Sequence, residues 1–218
     1  MIKFIRSVLA RRTFASKLRN KAMNMFSSFD NFKSIREKAE AKRQAENRPH
    51  EVLYFHKVDD PYSHLTIQYI DKFQASFDVV FKPILVGEEN PAALHEPTLY
   101  SDYCLEDVKR IAPFYNINFS GKNYPTGDLI TKANGILCSV DEENFGETAK
   151  EVSSALWEGN VSRLDELTDK FKSSNEEITK KLQAGNEIRN NCDYYYGSAF
   201  YYEKEIYWGV DRLHYLEE

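Results

Sequence analysis

Cysteine is scarce in this chain. Its 218 residues hold three, Cys104, Cys138 and Cys192, far apart, odd in number and never spaced C-x-x-C. A disulfide framework or a thiolate zinc site is therefore not expected, and the chain reads as intracellular, with the cytoplasm as its expected location. The thiols themselves read as buried or incidental. A long apolar run is also missing, so no segment is expected to cross a bilayer. The net charge of −5 gives no reason to expect a nucleic-acid partner for the chain as a whole. Acidic residues are absent from the first 26 positions, MIKFIRSVLARRTFASKLRNKAMNMF, which carry Lys3, Arg6, Arg11, Arg12, Lys17, Arg19 and Lys21. The arginines interrupt any apolar centre of a secretory signal.

What is present suffices for a core: hydrophobic residues make up 42 %, with 14 Tyr and 14 Phe. Residues 1–48 read as a basic, then mixed-charge, helical leader. In its first part Ile2, Ile5, Leu9, Phe14, Leu18, Met23 and Phe26 recur at roughly helical spacing. Three readings stand: a basic amphipathic helix on an anionic membrane surface, a mitochondrial-type targeting segment, or a surface helix or arm without a partner. Residues 34–48, SIREKAEAKRQAENR, read as a solvated helix with the i,i+4 pairs Arg36/Glu40 and Lys42/Glu46. Pro49 closes the leader, and residues 49–218 are expected to form one domain.

Residues 52–65, VLYFHKVDDPYSHL, organise that domain. Val52, Leu53, Tyr54 and Phe55 are a β-prone run, extended by Val58. Asp60 is a favoured N-cap, and Pro61 suits the first helical position, where its missing N–H costs nothing. A helix is expected from Pro61, with Tyr62, Ser63 and His64 in its first turn and Leu65, Tyr69, Ile70, Phe73 and Phe77 on its apolar stripe. Residues 79–86, VVFKPILV, read as a second strand, placed at an edge or bulged because Pro83 has no N–H for a ladder. Together these make a βαβ unit.

Residues 87–97 read as a loop. Five helical stretches follow: residues 99–115, a second marked by Leu129, Ile130, Ala133, Ile136 and Leu137, a third by Phe145, Ala149, Val152, Leu156 and Trp157, a fourth by Leu164, Leu167 and Phe171, and a weaker fifth by Ile178, Leu182 and Ile188. Residues 198–202 and 205–208 form an expected hairpin around Glu203-Lys204. Gly209 breaks its second strand, and residues 210–216 form a last short helix. The fold class is therefore α/β: a βαβ half and a ββα half, the order of a thioredoxin-like fold, with a helical insertion at about 97–190.

The capped turn is the expected site, since free amides and the positive end of a helix dipole meet there at the carboxyl end of a strand. Asp60, Tyr62, Ser63 and His64 are its candidate catalytic residues. Asp60 also reads as a plain N-cap. His64 and His56 titrate in a range useful for acid–base work. A His/carboxylate metal cluster of His56, His64 and Asp59 or Asp60 is not expected, because residues on a strand end and an adjoining first helical turn seldom converge. Tyr194, Tyr195, Tyr196, Tyr201 and Tyr202 read as sheet surface and core, with a homodimer interface as the alternative.

Two motifs resemble the DsbA-like branch of the thioredoxin superfamily, which includes DsbA, kappa-class glutathione transferases and 2-hydroxychromene-2-carboxylate isomerases. Asp60-Pro61-Tyr62-Ser63 is in register with the C-P-Y-C and S-P-Y-S turns of that branch. Tyr207-Trp208-Gly209-Val210-Asp211-Arg212-Leu213 resembles the F-W-G-x-D-R-L ending of the isomerases. The resemblance implies glutathione as cofactor, a small-molecule substrate, and a pocket bordered by Ser198, Asp211 and Arg212. The family's cis-proline falls near Gly197-Ser198-Ala199, where no proline stands; the register favours Ser198. Both thiol positions of the turn are non-cysteine, so CxxC disulfide exchange is excluded there. Two functional expectations follow: a glutathione-dependent transferase or isomerase, or a non-catalytic thioredoxin-fold binding protein that the leader places on a membrane or partner.

Overall fold

The computed structural model describes residues 2–88 and 96–216, with side chains from Thr13 onward. Most of the expected loop at 87–97, and the side chains of Ile2, Ile5 and Leu9, lie outside the described residues. The chain divides into two compact units, Met1–Pro49 and His50–Glu218.

The first unit is two helices, α1 (Ile2–Phe26) and α2 (Phe29–Ala45). Ser28 caps α2, its hydroxyl accepting the Asn31 amide at 3.2 Å. Lys42 and Glu46 lie 3.8 Å apart, while Glu40 receives two hydrogen bonds from Arg43 three residues on, at 2.8 and 2.7 Å. Arg36 lies over the ring of Phe32, 5.4 Å from its centroid.

The second unit is built on a four-stranded sheet of β1 (Glu51–His56), β2 (Val80–Leu85), β3 (Ala199–Tyr202) and β4 (Glu205–Trp208), in the order β2-β1-β3-β4. β1 runs parallel to β2 and antiparallel to β3, and β3 is antiparallel to β4. Val52 and Tyr54 enter the main core, while Leu53 and Phe55 join a second cluster with Val86, Ala199 and Ile206. Successive side chains of β1 are thus covered on both sheet faces. Pro83 stands opposite Tyr54, and β2 is an edge strand, where a residue without an N–H leaves no ladder bond unmade.

Helix α3 (Pro61–Ser76) links β1 to β2 and buries Leu65, Ile67, Ile70 and Phe73. The inserted block is α4 (Pro97–Ile111), a 3-10 turn at Ala112–Tyr115, α5 (Gly127–Cys138), α6 (Glu142–Glu158), α7 (Val161–Lys170) and α8 (Asn175–Asn191). Asp141 caps α6, Gly159 closes it in the left-handed region (φ 69°), and Asn160 at once caps α7. The weak fifth stripe is a full helix. Ser174 and Glu177 cap each other's backbone amides, and α8 buries few apolar side chains. It instead approaches β2 through Gly185, where a Cβ would come 2.0 Å from the Leu85 carbonyl oxygen.

The β3–β4 turn has Glu203 (φ 43°) and Lys204 (φ 73°) in the left-handed region, the backbone that matches strand twist in two-residue hairpins. The expected last helix divides into a 3-10 turn, Val210–Arg212, and a single α turn, α9 (Leu213–Leu216). Halves of βαβ and ββα order thus enclose a five-helix insertion.

Candidate functional site

The site begins at the end of β1. Asp60 has an extended backbone (ψ 118°) and caps α3 with Pro61 behind it. Its Oδ1 accepts the Tyr62 amide at 3.1 Å, and its Oδ2 accepts the Ser63 amide at 3.0 Å and the Ser63 hydroxyl at 2.7 Å. Ser63 is fully buried, and its Oγ also accepts the Lys57 amide at 3.3 Å. Lys57 turns its ammonium to Asp59, 2.9 Å away. The positive end of α3 is therefore occupied by a carboxylate of its own chain.

A cleft of about 140 Å³ opens in front of this cap, lined by Lys57, Asp60, Tyr100, Cys104, Tyr196 and Trp208 among others. Tyr196 stacks between Tyr100 (5.6 Å between centroids) and Trp208 (5.4 Å). Trp208 also meets the Tyr62 ring edge-on at 5.5 Å. The Tyr62 hydroxyl donates to Asp107 at 2.8 Å, and the Tyr124 hydroxyl to the Ser101 carbonyl at 3.1 Å. Burial, aided by the negative charge of Asp60, pushes the Cys104 thiol up to about 11. Burial, with the thiol and Asp60 nearby, also raises the Tyr100 and Tyr124 phenols. At neutral pH the cleft thus holds the protonated phenols of Tyr100 and Tyr124 and a protonated thiol beside the Lys57–Asp59 ion pair and the Asp60 carboxyl group. It can accept from or attract a cationic or hydrogen-bond-donating ligand, and it offers no thiolate.

Of the residues expected at the site, Asp60, Tyr62 and Ser63 come together. His64 does not join them. It is buried, its Nδ1 lies 2.8 Å from Ser153 Oγ on α6, and its ring packs against Phe119 and Trp157. Burial pushes its imidazole down to about 4. His56 is fully buried, with Nδ1 3.1 Å from the Tyr54 hydroxyl and no hydrogen-bond partner for Nε2 among the described residues. Burial, and then the neighbouring His64, push it down to about 3. Both histidines are core residues, and His64, about 100° round the helix from Ser63, faces α6. No group of three His, Cys, Asp or Glu side chains among the described residues is placed to hold a metal ion.

Ser198 is buried with its hydroxyl 2.7 Å from Thr66 Oγ1, behind the cap instead of in the cleft. Its neighbour Gly197 is the residue that lies on the site. An added Cβ there would sit 2.8 Å from Lys57 Cβ, 2.9 Å from Asp60 Oδ2 and 3.1 Å from Ser63 Oγ. Ser198 has φ 53°, so the chain turns here in the left-handed region. Asp211 and Arg212 are exposed, 3.7 Å apart as an ion pair, and the cleft does not include them. Trp208 of the same motif does line it. Tyr100 and Tyr124 were not singled out in the sequence; Cys104, read there as a buried or incidental thiol, and Tyr196, read as sheet surface or core, line the cleft instead, Tyr196 lying ahead of β3. A signal existed for part of this set: Tyr100, Cys104 and Asp107 recur at i, i+4 and i+7, a single helical face beside the apolar one.

No family model matches this chain, and no curated protein matches it. Among solved structures it is similar to a 2-hydroxychromene-2-carboxylate isomerase, at 19 % identity and a TM-score of 0.57, over 77 % of this chain and 92 % of that one. The fold is therefore thioredoxin-like with a helical insertion between its halves, the one expected from the order of the elements. At that identity the likeness defines the fold and leaves the chemistry to the residues of the cleft. No helix among the described residues is long and apolar enough to cross a membrane.

Proposed function

We propose that this chain is a small-molecule-binding protein built on a DsbA-like thioredoxin fold, without thiol–disulfide chemistry at its capped turn. One observation carries the reading. The Tyr62 amide, the Ser63 amide and the Ser63 hydroxyl, the donors that would stabilise a thiolate at the start of α3, all donate to Asp60. A thiolate entering the cleft meets a fixed anion where unsatisfied donors would be needed. Cys104 does not replace the missing nucleophile, because burial keeps its thiol protonated at neutral pH. A ligand is held instead through the aromatic wall of Tyr100, Tyr196 and Trp208 and the polar floor of Lys57, Asp59 and Asp60.

The second reading is a glutathione-dependent transferase or isomerase. It is favoured by the meeting of both sequence motifs across one cleft, at the edge-on contact of Tyr62 with Trp208. In this reading glutathione supplies the thiol and Tyr62 and Asp60 border it.

Calorimetric titration of the full chain with glutathione and with S-methylglutathione separates the two. The binding-protein reading expects S-methylglutathione to bind at least as well as glutathione, with no thiolate absorbance in the ultraviolet at neutral pH. The transferase reading expects the thiolate band and a loss of affinity on methylation. Absence of binding by either peptide at millimolar concentration removes glutathione as the ligand.

A further inference from the structure

The first unit is not used by the cleft, yet it carries the strongest charge asymmetry in the chain. The first 26 residues hold seven cations and no anion, which leaves the rest of the chain at −12 within a total of −5. All but the first of these residues are one helix. Its large apolar side chains are open to solvent: Phe14 is 70 % exposed, Leu18 60 %, Met25 62 % and Phe26 66 %. At about 100° per residue, Phe14, Leu18, Ala22, Met25 and Phe26 fall within an arc of roughly 120°. Lys17 and Lys21 flank that arc on one side and Arg19 on the other. Just beyond it, Phe29 at the start of α2 is 78 % exposed.

From these observations we infer that α1 docks in the plane of an anionic lipid bilayer, its Phe14–Phe26 stripe in the acyl boundary and its flanking cations at the headgroups. The apolar arc supplies the insertion, and lysines or arginines at its margins can reach the phosphates while their stems stay on the apolar side. A helix with seven cations is too polar to cross a bilayer, and none of the described helices qualifies to do so. Anionic headgroups attract juxtamembrane cations and repel the acidic remainder of the chain, so the contact is confined to the leader. The proposal goes beyond the reading of the cleft and does not depend on it.

The test is co-sedimentation of the full chain with phosphatidylcholine vesicles, with and without phosphatidylserine. Binding is expected only with phosphatidylserine, weakening as salt is added. Lys17→Glu combined with Lys21→Glu should lower the partition coefficient by at least about tenfold, given the attraction per cation near such a surface. Phe14→Ser combined with Leu18→Ser and Phe26→Ser should lower it by more than about tenfold through lost apolar burial. Three results would overturn the proposal: no binding to phosphatidylserine vesicles at low salt, equal binding to both vesicle types, or full binding by the apolar triple variant. The last would mean that the leader contacts polyanions through charge alone.

Discussion

Lowering the pH from 7 to 5 should destabilise this protein through two histidines that play no part in the cleft. His56 and His64 are buried, and burial holds their imidazoles down at about 3 and about 4, against an ordinary value near 6.5. In the unfolded chain each takes up most of a proton as the pH falls from 7 to 5; in the folded chain each stays almost entirely neutral. The unfolded state therefore binds more protons, and stability is complete above about pH 7 and lost on acidification from about 6.5 down to about 4 for His64 and about 3 for His56. Down to pH 5 the loss is roughly 1.8 kcal/mol for each histidine and about 3–4 kcal/mol for the pair. That is a large share of the 5–15 kcal/mol, roughly, that holds a domain folded. Besides each other, the groups facing the two rings are Tyr54, Phe145, Ser153, Phe119 and Trp157, none of which titrates in this interval. Urea titrations at pH 7 and pH 5 measure the difference. In His64→Gln, which can still meet Ser153, the pH-dependent loss should fall by about half. An equal unfolding free energy at the two pH values, or an undiminished pH dependence in the variant, refutes the reasoning.

Gly185→Ala should destabilise the domain by about 2 kcal/mol or more, because the new Cβ would meet the Leu85 carbonyl oxygen at 2.0 Å and α8 would have to move off β2; an unchanged urea midpoint would count against that approach. Asp60→Ser keeps a capping side chain and removes the anion, so glutathione affinity measured by calorimetry should rise on the order of tenfold. Unchanged or weaker binding would show that charge repulsion is not what the carboxylate contributes. Deleting residues 1–48 should leave a cooperatively melting domain, since the sheet and its cores lie within His50–Glu218. Loss of the cooperative melt would make the leader part of the folding unit.

The elements were legible because their signals are local. Asp60-Pro61 announces a helix start by what one carboxylate and one imino ring do to the next three residues, and α3 begins at Pro61. The apolar spacings of α5, α6 and α7 each lie within a few turns, and those helices stand where the spacing puts them. The fifth stripe reads weakly for a physical reason: α8 is held by a capping box and by a glycine contact, neither of which adds to an apolar pattern. The site was half legible. The cap and Trp208 belong to motifs, but the cleft's other wall comes from α4 and from Tyr196-Gly197, far away in sequence.

The sequence by itself determined the βαβ and ββα halves, the helical insertion between them, the capped turn and the absence of a thiol pair at that turn. Each is a property of neighbouring residues, through dihedral preference, periodicity or composition. Only the tertiary structure decided which side chains share space. It put Ser63 under Asp60 so that the capping donors are satisfied from within. It turned His64 toward Ser153 and away from the cleft, and it brought Cys104 and Tyr100 up to the cap. It also made Gly197, one residue before the expected Ser198, the point of closest approach. Such outcomes depend on where distant backbone segments cross, and a single chain of letters carries no distance between residues far apart along it.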